Sequence, residues 1–263
     1  MYESSTLPYF EGEKPLIIPH RGGMDLVPEN TYEAVKFCYD NNFSHFETDL
    51  RISSDGVVFL HHDPTLERTT NAKGRVRDYI WRDLLQINAG EKFYEKRNIY
   101  GQRTVFISLE EALDKFYPMH FNLDLKQGGM AKKVLDIILD CKASSRVLVS
   151  SFSPKRLEEF RELNKHNIAT SASVKENIYA IFNSRLSNLF RLNDHALQIP
   201  IKWKGIRVLT RKLVDYVHSQ GMQVHVWTIN DIPTLRDCLL LGCDGIITDR
   251  PIEFREIAQQ LYE

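Results

Sequence analysis

The chain has 263 residues, 43% of them apolar and 26% charged, with a formal net charge of −1. Such a length sits near the upper end of what one hydrophobic core organises, and the composition is that of a globular protein rather than a disordered or fibrous one. The balanced charge argues against a generally basic surface for nucleic acid or anionic membrane, and no apolar run approaches the roughly 20 residues of a membrane span.

The first residues lack an apolar leader stretch, so the expected location is cytoplasmic. Cys38, Cys141, Cys238 and Cys243 match no zinc or redox spacing, and we expect reduced thiols.

From the N-terminus, short apolar runs alternate with amphipathic stretches. Strands are predicted at residues 16–20, 44–50, 119–126, 146–151, 168–173, 195–201, 222–229 and 244–248. Helical periodicity follows at residues 31–41, 130–142, 154–166, 175–189, 210–220, 232–241 and 252–262. Alternating strands and helices imply parallel βαβ units, and eight of them imply a closed (β/α)8 TIM barrel, with an open doubly wound sheet as the alternative. Asn30 and Glu33 read as an N-cap with a capping box. Ser153-Pro154 places a cap before a first-turn proline, and Gly221 ends the helix at 210–220.

Residues 56–118, between the second and third barrel strands, are too long for a plain connection. They hold a short predicted strand at 57–61 and helices near 78–87 and 108–116. An insertion at this end of a barrel strand is expected over the active-site face, within a single domain.

Side chains alternate along a strand, so Glu47 and Asp49 share one face. On the third strand Asp124 and Lys126 share a face, opposite Leu123 and Leu125. Leucines belong against the helices, which turns the polar set into the barrel mouth. Crowded carboxylates need either a cation partner or a metal; oxygen-only ligands favour Mg2+ or Ca2+. The alternative is a salt-bridge network with Lys126 and Arg51.

The first strand ends His20-Arg21-Gly22-Gly23, where functional side chains of a barrel gather. The glycines permit a tight turn, and Arg21 suits a phosphoryl oxygen. Of the neighbours His61 and His62, only one can face the site. His45, His166 and His218 read as structural or exposed, and His225 shares the face of Trp227.

Taken in order, these clusters resemble the glycerophosphodiester phosphodiesterase family. The resemblance runs through His20-Arg21-Gly22, Pro28-Glu29-Asn30-Thr31, Glu47-Thr48-Asp49-Leu50, His62-Asp63, Arg68-Thr69-Thr70 and Asn88-Ala89-Gly90. It continues through Leu109-Glu110-Glu111-Ala112-Leu113, Ser150-Ser151-Phe152, Val226-Trp227-Thr228-Ile229-Asn230 and the stretch 242–251, spanning about residues 16 to 251. By this resemblance His20 and His62 are the catalytic histidines, Glu47, Asp49 and Asp124 the metal ligands, and one divalent cation the cofactor. The third ligand position is usually Glu; here it is Asp124, a shorter carboxylate with the same donor. Arg21, Lys126 and Trp227 are the expected substrate contacts. Glu29 either orients groups of the first strand or serves the helix dipole.

The implied reaction is cleavage of a small-molecule glycerophosphodiester to glycerol phosphate and an alcohol. The glycerol 2-hydroxyl attacks phosphorus, with His20 expected as base and His62 as acid, and water opens the cyclic phosphate. Two other readings share these residues: a lysophospholipase D acting on long-chain lysophospholipids, and an inactive barrel that binds phosphodiesters or a protein. No nucleic acid and no stable membrane insertion are expected.

Overall fold

A computed structural model describes residues 7–186 and 194–262. In chain order the elements begin with β1 (Leu16–Pro19), α1 (Tyr32–Asp40), β2 (His45–Ile52), β3 (Val58–Leu60), α2 (Trp81–Leu84), α3 (Glu91–Glu95) and α4 (Leu109–Lys115). They continue with β4 (His120–Leu125), α5 (Ala131–Asp140), β5 (Val147–Ser150), α6 (Pro154–Leu163), β6 (Ala169–Thr170) and α7 (Val174–Leu186). The chain then forms β7 (Ala196–Ile199), β8 (Lys202–Trp203), β9 (Ile206–Arg207), α8 (Arg211–Ser219), β10 (Gln223–Val226), α9 (Ile232–Leu241), β11 (Gly245–Thr248) and α10 (Pro251–Tyr262).

Two parallel ladders carry the architecture, β2-β4-β5-β6 and β7-β10-β11-β1. Parallel bridges join their ends, His20 to Glu47 and Ser171 to Ala196. Eight strands thus follow one another around a ring in sequence order, the (β/α)8 barrel read from the sequence. β3 adds antiparallel to the free end of β2, and β8 with β9 forms a separate hairpin. The end of the predicted helix at 175–189 lies outside the described residues, as do residues 1–6 of the N-terminal segment.

Local chemistry explains most boundaries. The Thr31 hydroxyl, not Asn30, caps α1 by accepting from the Ala34 amide at 3.2 Å. Asn30 was the expected cap; instead it stands one residue outside in a left-handed conformation, φ 57°, and its amide serves the site described below. Ser153 precedes the first-turn proline of α6 as expected, with no capping hydrogen bond from its hydroxyl. Gly221, at φ 74°, follows α8 as expected.

Phe46, Leu50, Phe121, Leu123 and Leu125 face outward into the main core between strands and helices. α4 packs into that same core through Leu109, Ala112 and Leu113. It is therefore the helix between the second and third barrel strands rather than part of an appendage. The residues before it have a small core of their own, built on Phe59, Leu66, Val76, Leu84 and Phe106.

The barrel floor is closed by the N-terminal segment. Leu7, Tyr9 and Phe10 pack beneath Leu148, Ala169 and Ala196. His45 stacks on His120 at 4.8 Å, and Tyr9 meets its edge at 5.1 Å. The Tyr9 carbonyl can only accept, so His45 Nε2–H donates to it, at 2.8 Å. His225 lies inside as well, fully buried between Gln198 and Gln223. Neither is a bystander: burial holds the His45 pKa down at about 3 and that of His225 at about 4. Both folded values lie below the unfolded value of about 6.5, so the unfolded chain takes up protons first as pH falls. The contribution of each is full above about pH 6.5 and is lost progressively as pH falls, to about pH 4 for His225 and about pH 3 for His45, by a few kcal/mol per histidine. Thermal unfolding at pH 7, 6, 5 and 4 should show a steep fall in Tm that His225→Gln makes shallower; a level Tm over this range would contradict this account.

Candidate active site

β2 and β4 pair in register with Glu47 opposite Asn122 and Asp49 opposite Asp124. Alternation then sends all four side chains inward, toward a cavity of about 290 Å3 at the C-terminal mouth. His20, Arg21, His62, Lys126 and Trp227 line the same cavity. The residues singled out from the sequence are therefore brought together, on β1, β2, β4, the end of β10 and the segment after β3. His61 turns the other way, stacked on Phe59 and donating from Nε2 to the Thr65 carbonyl at 3.1 Å, as expected for one histidine of the pair.

The turn after β1 is built by unusual backbone. Gly22 and Gly23 have φ of 102° and 94°, and a Cβ on Gly22 would stand 2.6 Å from that of Ala34. Arg21 is also left-handed, φ 51°. That conformation costs about 1–3 kcal/mol and persists only where neighbours enforce it. Here the Arg21 amide donates to Glu47 Oε2 at 3.1 Å, and its carbonyl accepts from the Asn30 amide at 3.0 Å. The guanidinium reaches Glu29 at 2.9 Å and Asp49 at 3.0 Å. Glu29 therefore orients the first-strand group, one of its two expected roles.

Asp49 is the electrostatic centre. It is almost fully buried, yet Arg21 and Lys126 flank it and the Asn30 side-chain amide donates to it at 3.0 Å. Burial raises its pKa, but these partners prevail and hold it well below the usual carboxylate range. Glu47 fares differently: burial and the neighbouring Asp49 push it up to about 7. Asp124 is also raised by burial, although Lys126 touches it at 2.6 Å. Arg21 and Lys126 thus neutralise Asp49, and Lys126 also pairs with Asp124, while among the described residues Glu47 forms an ion pair with neither cation. Arg51, the other expected partner, instead donates to the backbone carbonyls of His62 and Lys126.

Among the described residues no three His, Cys, Asp or Glu side chains are already grouped as a cation cage. On β4 two buried side-chain oxygens nevertheless lack a hydrogen-bond partner among the described residues, Asp124 Oδ1 and Asn122 Oδ1. Unpartnered oxygens beside a carboxylate raised to about 7 are what a hard divalent cation would satisfy. The donor set fits such an ion by its chemistry.

Each catalytic-candidate imidazole is held by a carboxylate that the sequence reading did not pick out. His20 Nδ1 lies 2.7 Å from Asp249, and His62 Nδ1 lies 2.5 Å from Asp63. An ionised carboxylate only accepts, so Nδ1 carries a proton in both rings and Nε2 is left toward the cavity, that of His20 3.9 Å from Glu47 Oε2. Asn230 steadies Asp249 at 2.6 Å. Arg68 bridges Asp63 at 2.5 Å and Glu29 at 2.6 Å, linking both histidine arms into one network. Burial lowers the His20 pKa, but Asp249 and Glu47 outweigh it and leave it raised. For His62 burial prevails, helped by Arg21 and Lys126, and its pKa is lowered. Asp63 followed directly on a candidate histidine, and Asp249 lay within the last quoted motif; both were visible as residues but not as partners.

The far wall of the cavity is apolar: Phe152, Val174, Ile178, Ile181, Trp203 and Val208. Trp227 stands between the two halves. Its ring meets Phe152 edge-on at 5.2 Å and also packs on the interior cluster of Leu16, Ile18 and Ile247.

Two imidazole Nε2 atoms beside fixed positive charge suit moving a proton between oxygens next to an anion. A family model described as the glycerophosphoryl diester phosphodiesterase family matches residues 20–253. A glycerophosphodiester phosphodiesterase of Bacillus altitudinis is 30% identical over 253 residues, covering 93% of this chain and 98% of that one. The glycerophosphoryl diester phosphodiesterase domain of an uncharacterised Mycobacterium tuberculosis protein superposes with a TM-score of 0.79 at 22% identity, covering 95% of this chain and all of that domain. An Oleispira antarctica phosphodiesterase, solved with the product sn-glycerol-3-phosphate, superposes with a TM-score of 0.75 at 23% identity, covering 94% of this chain and 97% of that one. The chain belongs to the glycerophosphoryl diester phosphodiesterase family.

Proposed function

We propose that this chain hydrolyses glycerophosphodiesters to sn-glycerol 3-phosphate and an alcohol, using His20 and His62 as an acid–base pair. The observation that carries this reading is the shared cavity: two carboxylate-held imidazoles, two fixed cations and three inward carboxylates line one pocket. The Oleispira antarctica structure, with sn-glycerol-3-phosphate bound, supports the choice of product.

A phosphodiester is anionic and its leaving alkoxide is poor. Arg21 and Lys126 supply positive charge beside the phosphoryl oxygens through charge-assisted hydrogen bonds. One free Nε2 takes the proton from the glycerol 2-hydroxyl as that oxygen bonds to phosphorus. The other imidazole, protonated on both nitrogens as an imidazolium, gives its Nε2 proton to the departing alcohol as the alcohol's bond to phosphorus breaks. Water then opens the cyclic phosphate with the two roles exchanged. His20 is expected as base and His62 as acid; the raised pKa of the first and the lowered pKa of the second run against that order. Asp249 and Asp63 keep each ring in the tautomer the transfer needs.

Glu47, Asp49 and Asp124 would hold one divalent cation, Mg2+ or Ca2+, with Asn122 beside them. When bound, it supplies a Lewis acid that polarises a phosphoryl oxygen. The apolar wall favours a second substrate reading, a lysophospholipid cleaved by the same centre.

Initial rates on glycerophosphocholine, glycerophosphoethanolamine and lysophosphatidylcholine, with either ion supplied, separate the readings. We expect glycerol phosphate from both deacylated diesters. No glycerol phosphate from either would end the primary reading, and turnover of the lysolipid alone would establish the second.

A further inference from the structure

We propose that the β8–β9 hairpin, with the adjoining face of α7, docks the enzyme onto an anionic lipid surface beside the mouth of its active-site cavity. The hairpin is short and wholly exposed, residues 202–207. Its turn is Lys204-Gly205, with φ of 48° and 82°. Two left-handed turn residues match the twist of a tight two-residue hairpin. The register places Trp203 opposite Ile206 and Lys202 opposite Arg207. Cross-strand partners share a face, so one face carries the two apolar side chains and the other the two cations.

Those apolar residues are far more open than packing requires, 46% for Trp203 and 65% for Ile206. Ile178 of α7 lines the same cavity as Trp203, and Phe182 follows one turn on; both are exposed. Contiguous exposed apolar surface marks an interaction site, and aromatic residues ringed by Lys and Arg mark a water–lipid boundary. The charges nearby agree. Arg207 meets Asp237 at 3.3 Å, and Glu176 of α7 is taken up by Arg161. Among the described residues Lys202 and Lys204 make no ion pair, which leaves them for an anionic surface. Each basic residue near such a surface is worth about 1 kcal/mol, or roughly fivefold in partitioning.

Position connects the patch to the chemistry. Trp203 and Ile178 also line the active-site cavity, so the docking face and the cavity mouth share a rim. A phosphodiester leaving a lipid surface there has a short path to His20 and His62. No membrane span is involved; among the described residues no helix is long and apolar enough to cross a bilayer.

Cosedimentation with vesicles tests this without any turnover, so its outcome is independent of the substrate reading. The probes are phosphatidylcholine vesicles, alone and with 30% phosphatidylglycerol (about one anionic lipid in three, of the order found on anionic membranes). The full chain should bind the anionic vesicles, bind the neutral ones weakly, and release as salt rises. K202E/K204E and Ile206→Asp should each lower partitioning by at least about tenfold, while hydrolysis of soluble glycerophosphocholine stays within about twofold. Ile206→Ser is the milder second variant should the aspartate disturb the hairpin. Absence of wild-type binding, equal binding to neutral vesicles, or variants that bind like the wild type would overturn the proposal.

Discussion

Replacing His62 with alanine is expected to lower kcat by about 10²–10⁴-fold on a deacylated glycerophosphodiester. His20→Ala is expected to match it, because one proton must leave and another arrive in the same displacement. KM should change much less if, as proposed, the charge that binds the phosphate comes from Arg21 and Lys126. His62 is partly exposed and bonds only Asp63 through its ring, so its loss should leave the fold intact. His20 is more enclosed, and its variant needs circular dichroism alongside the rates. Near-normal kcat in either folded variant would remove that imidazole from the mechanism. Because the residues act as a unit, the double variant should be little slower than either single one.

The second large effect concerns Asp49. Asp49→Asn removes the charge between Arg21 and Lys126 and leaves the Asn30 amide facing another amide. Breaking a buried ion network from one side costs about 3–5 kcal/mol, so a lowered Tm is expected. Divalent-ion affinity, measured by titration with Mn2+, should fall by at least about tenfold. Wild-type turnover should vanish with EDTA and return with Mg2+ or Ca2+. Turnover indifferent to EDTA, together with unchanged Mn2+ affinity in the variant, would leave the carboxylates a purely ionic role with Lys126.

The barrel was legible because its signal is repeated. Apolar alternation in β2 and β4 set Phe46, Leu50, Leu123 and Leu125 outward, and the same alternation turned Glu47, Asp49 and Asp124 inward. What escaped was long-range. Asn30 looked like a cap because Asn-x-x-Glu is a local pattern; its amide was claimed by Asp49, 19 residues away, and Thr31 capped α1 instead. Asp249 reaches His20 across 229 residues, and no local pattern announces such a partner. His45 read as structural or exposed, and His225 only as sharing the face of Trp227, because the N-terminal segment that buries His45 and the Gln198 that meets His225 are distant in sequence. The hairpin at 202–207 carried a usable signal, Lys-Trp-Lys-Gly-Ile-Arg, two alternating pairs around a turn glycine. The apolar cavity wall carried none, since Ile178 and Ile181 have ordinary helical spacing.

Paired imidazoles in a single centre should cleave the diester on the alcohol side of phosphorus. Phosphorus-31 NMR of glycerophosphocholine, incubated with the metal-replete chain, tests it most directly. The diester resonance should give way to that of glycerol 3-phosphate, with free choline in equal amount. Phosphocholine as the product, or a diester signal that persists unchanged, would contradict it.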